Sequence, residues 1–391
     1  MSVFLPDITL PSAQRVQLDE KTGGNILAGC LLYPPQLRCT TPVKKPQTSL
    51  RDLAQHLNLS TSTVSRALAD HRDISEATKA RVRQAAQELH YRPNLLASAL
   101  RKGHSQTLGV IVPHIKGYFF PAVMNGIEKV ATREGFNVLL CQSNEDIRRE
   151  QRNIEALLAA QVEGILMSVS ATTHDELQHL EQVRHQGIPL VFFDRVPDLP
   201  QSMAVILDDF QGAFQAVRHL IEQGCKHIAH LAGPQHLNTS RNRLLGYKAA
   251  LEAHGLPFEE EWIYSLPALT HEAGRVGMQH LLAQMPPLDG VFAAYAIPSV
   301  GALEVLREKG IRVPQDIALA CFSNEPFTTM TQPQLTVVDQ RAEQMGETAV
   351  RLFLQLLKRG PAYSPPHLIL KPELIIRDSS LHQSQLMREP R

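Results

Sequence analysis

From Thr107 the chain settles into a pattern that leaves few architectures open: short, unbroken apolar runs separated by longer stretches of helical period. Leu108-Gly109-Val110-Ile111-Val112 is followed by a helical stretch from Val123 to Arg133, then by Asn137-Val138-Leu139-Leu140-Cys141. Gly164 to Ser168 and Pro189 to Phe193 continue the series, each expected after a helix, and it resumes at His227 to Leu231, Gly290 to Ala294 and Ile317 to Phe322. Strands apolar on both faces must be covered on both faces, and strands alternating with helices pair in parallel because each crossover lays a helix on the sheet. The fold class expected here is α/β, with two doubly wound parallel sheets, one per half.

A chain of 391 residues exceeds one small module, and 43% apolar with 20% charged residues excludes collagen-like, disordered and membrane classes. No apolar run approaches the roughly 18 residues of a membrane span. The five cysteines form no CxxC pair, which argues against a disulfide scaffold or zinc ribbon and suits a reducing cytoplasm. The net charge of zero conceals an asymmetry: Lys44 to His104 carries 11 Lys+Arg against 5 Asp+Glu, whereas Ser105 to Arg391 carries 25 against 31. A basic module on an acidic body suggests a nucleic-acid contact, although a solvated charged surface would look the same.

The helical pattern of the basic module is more specific. Ser49-Leu50-Arg51-Asp52 places a capping hydroxyl three residues before a carboxylate, and Leu50, Leu53, Ala54 and Leu57 share one helical face. That helix is expected to end at His56 or Leu57. Asn58 tolerates the left-handed turn conformation, and Ser60 can cap a second helix running from Thr61 to Leu68. Small Ala54, turn residue Asn58 and apolar Val64 have the spacing of a helix-turn-helix. The second helix presents Thr61, Ser62, Thr63, Ser65 and Arg66, short enough to enter a major groove where Arg66 could pair with guanine. A third helix after Ser75 packs through Val82, Ala85, Ala86 and Leu89. A plain helical hairpin is the alternative for such a pair taken alone.

Ser49 to Ala54, Leu59 to Leu68 and Tyr91-Arg92-Pro93-Asn94-Leu95-Leu96-Ala97, in that order, resemble the headpiece of the lactose/galactose-repressor family of bacterial transcription regulators, and the likeness continues to about Asp378. The resemblance implies a helix-turn-helix headpiece over 48–91, a hinge helix over 92–104, and an effector-binding and dimerisation body over 105–378. It implies that Ser49, Asn94 and Ala97 join the DNA contacts, that Leu100 wedges into the minor groove, and that Arg101 is its basic neighbour. Read without the family, Leu100 would be a core leucine.

For the body, the resemblance implies two subdomains of periplasmic-binding-protein type, with crossovers near Asp208, Val338 and His367 and a ligand in the cleft between them. Loops after the strands should line that cleft. Carried over residue by residue, His114, Phe119 and Phe120 belong to the first cleft loop, where the family commonly has Asp at His114 and Asn-Pro at Gly117-Tyr118. Arg195 belongs to a strand-end pair with Asp194, and Arg243 matches an arginine that binds effector hydroxyls or carboxylates. Otherwise the phenylalanines would be core and the arginines surface charges. Two matches depart from the pattern: Tyr295-Ala296 stands where many relatives have Asn-Asp, and Cys321-Phe322-Ser323-Asn324 where they carry acids after Gly-Phe. Ser323 and Asn324 can hydrogen-bond an effector but cannot supply a carboxylate. A sugar or derivative is expected, with phosphorylated, acidic or less polar compounds left open.

No Walker A loop, nucleophile elbow or His-Glu-x-x-His helix occurs, so no catalytic function, metal or cofactor is expected. His227 and His230 straddle one strand and should face opposite sides of it. Residues 1–47 are expected to be disordered, with translation expected to begin at Val43-Lys44-Lys45-Pro46; residues 379–391 are expected to form a tail without the leucine heptads of a tetramer-forming coil, leaving a homodimer. The leading reading is a dimeric regulator of operator DNA controlled by a small molecule. A receptor with no regulatory role and an enzyme of sugar metabolism are the alternatives.

Overall fold

The computed structural model describes residues 48–91, 104–174, 176–284, 287–360 and 367–381. The expectations for residues 1–47 and for Asn94, Ala97, Leu100 and Arg101 lie outside the described residues. The chain separates into two units, the first ending at Pro93.

The first unit is helical: α1 (Leu50–Leu57), α2 (Thr61–Leu68) and α3 (Glu76–Glu88). At the start of α1 the Asp52 amide donates to Ser49 Oγ at 3.2 Å, and the Ser49 amide donates back to Asp52 Oδ2 at 2.8 Å. This reciprocal bond satisfies two of the amides a helix start leaves without partners. Asn58 closes the helix in the left-handed region, with φ 52°. Ser60 and Ser75 cap α2 and α3 by accepting from Thr63 and Thr78 amides. Leu53, Ala54, Val64, Ala67, Val82 and Ala85 form the buried centre of the three helices.

In the second unit each sheet has six strands. The first runs β11-β5-β4-β3-β1-β2, from β1 (Thr107–Val112), β2 (Asn137–Gln142), β3 (Gly164–Met167), β4 (Leu190–Phe193), β5 (Met203–Leu207) and β11 (Leu368–Leu370). The second runs β12-β10-β9-β8-β6-β7, from β6 (Ile228–Ala232), β7 (Ile263–Ser265), β8 (Gly290–Ala293), β9 (Ala318–Phe322), β10 (Thr336–Asp339) and β12 (Glu373–Ile375). All pairings are parallel except that of β10 with β12. β1 shows why unbroken apolar runs were needed: Leu108, Val110 and Val112 enter one core cluster, and Ile111 enters the cluster on the opposite face.

Helices α4 (Phe119–Arg133), α5 (Ile147–Ala159), α6 (Gln178–His185) and α11 (Ala342–Arg359) belong to the first lobe. α7 (Asp209–Glu222), α8 (Asn238–Ala253), α9 (His271–Gln284) and α10 (Ala296–Glu308) belong to the second.

Two expectations need correction. Leu368–Leu370 still pairs with Val205 to Leu207 of the first sheet, so the last crossover falls at Lys371-Pro372 rather than near His367. The body does not end at Asp378: Ser379 Oγ donates to the Leu319 carbonyl at 2.6 Å, Ser380 Oγ meets Thr336 Oγ1 at 2.6 Å, and both serines are buried. β5 is not among the strands expected from sequence; residues 194–202 connect it to β4 with no helix between them.

Candidate functional site

Two regions collect the residues singled out by sequence. On α2, Thr61, Ser62 and Arg66 are exposed, whereas Thr63 and Ser65 are half-buried beside core residues Val64 and Ala67. Not all the polar groups on this face point outward. Thr63 Oγ1 and Ser62 Oγ each lie 2.8 Å from Ser60 Oγ, in the cap, and Ser49 Oγ donates to Asp52 at 2.7 Å. The basic charge of the module is likewise not all on this face: Lys79 is buried between Asp70 and Glu76, and Arg83 pairs with Asp70.

In the body, a cavity of about 100 Å³ lies at the carboxyl ends of strands from both sheets. His114, Phe119 and Phe120 reach it from the loop after β1 and the first turn of α4, and Arg195 from the loop after β4. Arg243 reaches it from α8, Tyr295 from the end of β8 and Ser323 from the end of β9. The position follows from topology: with strand order 2-1-3-4-5, adjacent loops diverge beside the first strand and leave a crevice. Asn324 is not brought there; its Nδ2 donates to Asp339 at 2.9 Å and its Oδ1 accepts from Arg377 at 2.7 Å. It lines a neighbouring pocket instead.

Both arginines are held by carboxylates. Arg195 Nη1 donates to the two oxygens of Glu145 at 3.0 and 2.8 Å. Arg243 is fully buried; its Nε donates to Asp209 at 2.8 Å, its Nη1 donates to the Ala294 carbonyl at 2.7 Å, and its guanidinium lies 3.9 Å from the centre of the Phe322 ring. Burial pushes the Asp194 and Asp209 carboxyls up, against the pull of the arginines. Burial also pushes His114 below its ordinary value, with Glu145 opposing that shift and its ring edge-on to Phe120.

Sequence reasoning missed three groups. Asn238 bridges the lobes, its Nδ2 donating to the Asp194 carbonyl and its Oδ1 accepting from the Val196 amide, both at 3.0 Å. His236 Nε2 meets the Ala171 carbonyl at 2.7 Å. Glu325 lines the cavity one residue beyond Cys321-Phe322-Ser323-Asn324. No pattern in the sequence marks Asn238 or His236, whereas Glu325 was within reach of the motif. Among the described residues there is no cluster of three His, Cys, Asp or Glu side chains able to hold a metal, and no helix is long and apolar enough to cross a membrane.

A helix-turn-helix unit followed by a two-lobed α/β body defines a class of DNA-binding transcription regulators. Residues 49–94 match the family described as bacterial regulatory proteins, lacI family, and residues 217–380 match the periplasmic binding protein-like domain. The HTH-type transcriptional repressor CytR of Escherichia coli is 32% identical over 339 residues, covering 86% of this chain and 98% of that protein. The solved CelR-cellobiose complex is similar at 29% identity and TM-score 0.65, covering 86% of this chain and all of that one. A LacI family regulator from Enterococcus faecium with bound ribose is similar at 27% identity and TM-score 0.61, covering 70% of this chain and 98% of that one. The chain belongs to the lacI family of bacterial regulatory proteins, and family membership decides for the regulator over the receptor.

Proposed function

We propose that this regulator represses transcription in the cytoplasm by binding a pseudo-palindromic operator as a dimer, and that a small polar compound in the cavity between the lobes controls it. The observation that carries the reading is the convergence of His114, Phe119, Phe120, Arg195, Arg243, Tyr295 and Ser323 on one cavity from both lobes. A compound touching both lobes binds one relative lobe arrangement better than another and shifts the population between them. Thr61, Ser62 and Arg66 read the bases, with Ser49 and Thr63 bonded at the starts of α1 and α2 and, together with Ser65, meeting the backbone. Hydroxyl-bearing compounds fit the mixture of aromatic faces and polar groups, and the cellobiose and ribose held by the two solved relatives support a sugar or derivative. No catalytic step is assigned to the cavity, whose two arginines are committed to carboxylates.

Fluorescence-anisotropy titration of the full chain with its own upstream promoter DNA, at two salt concentrations, tests this. Tight binding that unrelated DNA cannot displace, altered by one compound of a sugar panel, is the expected result. Weak binding to every DNA, lost as salt rises in the way counterion release dictates, would overturn it.

A further inference from the structure

Ser323 lines the cavity between the lobes, and Glu325, two residues along, lines it too. Its carboxylate reaches across to the opposite lobe: the oxygens lie 3.4 and 3.5 Å from where a Cβ on Gly117 would stand. Gly117 has φ +78°, a conformation that costs glycine little and lets the loop approach this closely. The Tyr118 backbone amide is near enough to the Glu325 carboxylate to pull its pKa down. Tyr118 is the N-cap of α4 and makes no side-chain cap bond of its own, so the carboxylate from the second lobe faces a helix start that lacks a side-chain cap.

The rest of the cavity is poor in free positive charge. Arg195 is neutralised by Glu145, and Arg243 by Asp209. Lys116 is exposed to water, where its charge is screened. Asp194 adds a further buried acid. A phosphate would bring close to two negative charges beside these carboxylates with no uncommitted buried cation to receive them.

We propose that Glu325 is the specificity-determining acid of this cleft, gripping the hydroxyls of an uncharged compound and excluding phosphorylated or carboxylated ones. The inference rests on the effector-cleft reading above and narrows it. Such a compound replaces the Tyr118 N–H as the neighbour of the carboxylate, so its entry exchanges a contact between lobes for a contact with ligand. Burial raises the carboxyl of Glu325 above its ordinary value, against the opposing pull of the Tyr118 backbone.

The test is isothermal calorimetry of the full chain with matched pairs: ribose and its phosphate ester, cellobiose and its phosphate ester, a nucleoside and its monophosphate. The expected result is heat from an unphosphorylated member and none from its ester. Glu325→Gln is expected to weaken that binding by roughly 10- to 100-fold, the loss of charge-assisted bonds to hydroxyls. Ser323→Asp on the Glu325→Gln background is expected to recover part of the affinity, which a merely structural role for Glu325 would not allow. Tighter binding of an ester than of its parent, or a dissociation constant for Glu325→Gln within about twofold of the parent protein, overturns the proposal while leaving the effector cleft standing. If no member of any pair binds, the effector reading for these compound classes fails and takes this inference with it.

Discussion

Gly126 of α4 and Gly346 of α11 meet reciprocally: a Cβ on Gly126 would overlap the Glu343 carbonyl, and one on Gly346 would overlap the Val123 carbonyl. Lys129 ties the same crossing from outside, pairing with Glu343 at 2.9 Å and Glu347 at 2.7 Å. Backbone cannot swing aside as a side-chain tip can, so Gly126→Val must push the helices apart. The expected cost is about 2 to 3 kcal/mol by urea unfolding. Unchanged stability would show that this crossing yields freely.

His230 predicts how stability depends on acid. Its Nδ1 donates to the Phe292 carbonyl at 2.9 Å, its ring stacks between Tyr247 and Phe292, and its Nε2 is buried without a partner. Burial pushes its pKa from 6.5 down to about 4. Between those values the unfolded chain binds the proton and the folded chain does not, so stability falls as pH drops from 6.5 towards 4. The expected loss is about 3 kcal/mol. His230→Phe should flatten that part of the curve in thermal melts taken between neutral and mildly acidic pH. A variant that keeps the full slope would place the proton elsewhere.

Glu150 is fully buried and accepts from the Ser170 amide at 2.7 Å, Ser170 Oγ at 2.6 Å, Thr173 Oγ1 at 3.0 Å and His179 Nε2 at 2.9 Å. Glu150→Ala leaves the Ser170 amide, Thr173 Oγ1 and His179 Nε2 without this acceptor, while Ser170 Oγ keeps Ser143 Oγ at 2.6 Å, and should cost about 3 kcal/mol or more. The loop it fixes also carries Ala171, whose N–H donates to Glu145 and whose carbonyl meets His236 of the other lobe. Effector affinity is therefore expected to fall along with stability. A loss of stability alone would confine the network to the first lobe.

Much of this was legible in sequence because it rests on local rules. The caps Ser49, Ser60 and Ser75, the left-handed Asn58 and the doubly buried run of β1 are dictated by residues within a turn or a strand of one another. β7, β11 and β12 span only three residues each and carry little period of their own; their partners define them. The cleft residues came through the resemblance rather than from periodicity. Asn324 went astray because one residue of rotation at the end of β9 sends it to Arg377 while Ser323 bonds Gln340 at 2.5 Å. Glu325 was missed because the family pattern directed attention to the two positions before it.

Arg66 is exposed on α2, so replacing it should leave the three-helix unit folded. Arg66→Ala is expected to lose about 1 to 3 kcal/mol of operator preference over mismatched DNA in competition binding. Ser60→Ala, which removes the acceptor for the Thr63 amide, should cost about 1 kcal/mol of headpiece stability instead. Equal preference for both DNAs by the parent protein and Arg66→Ala would remove Arg66 from base reading.

The crossovers set the order in which the molecule can be finished. β1 to β5 are made early, but α11 and β11, which complete their lobe, come only after almost all of the second lobe. During synthesis the first sheet must wait with one face of α4 uncovered and one edge unpaired, the condition in which chains most readily associate wrongly. A stop codon soon after Arg359 would therefore leave two unfinished sheets rather than one intact lobe, since β11 and β12 close one edge of each.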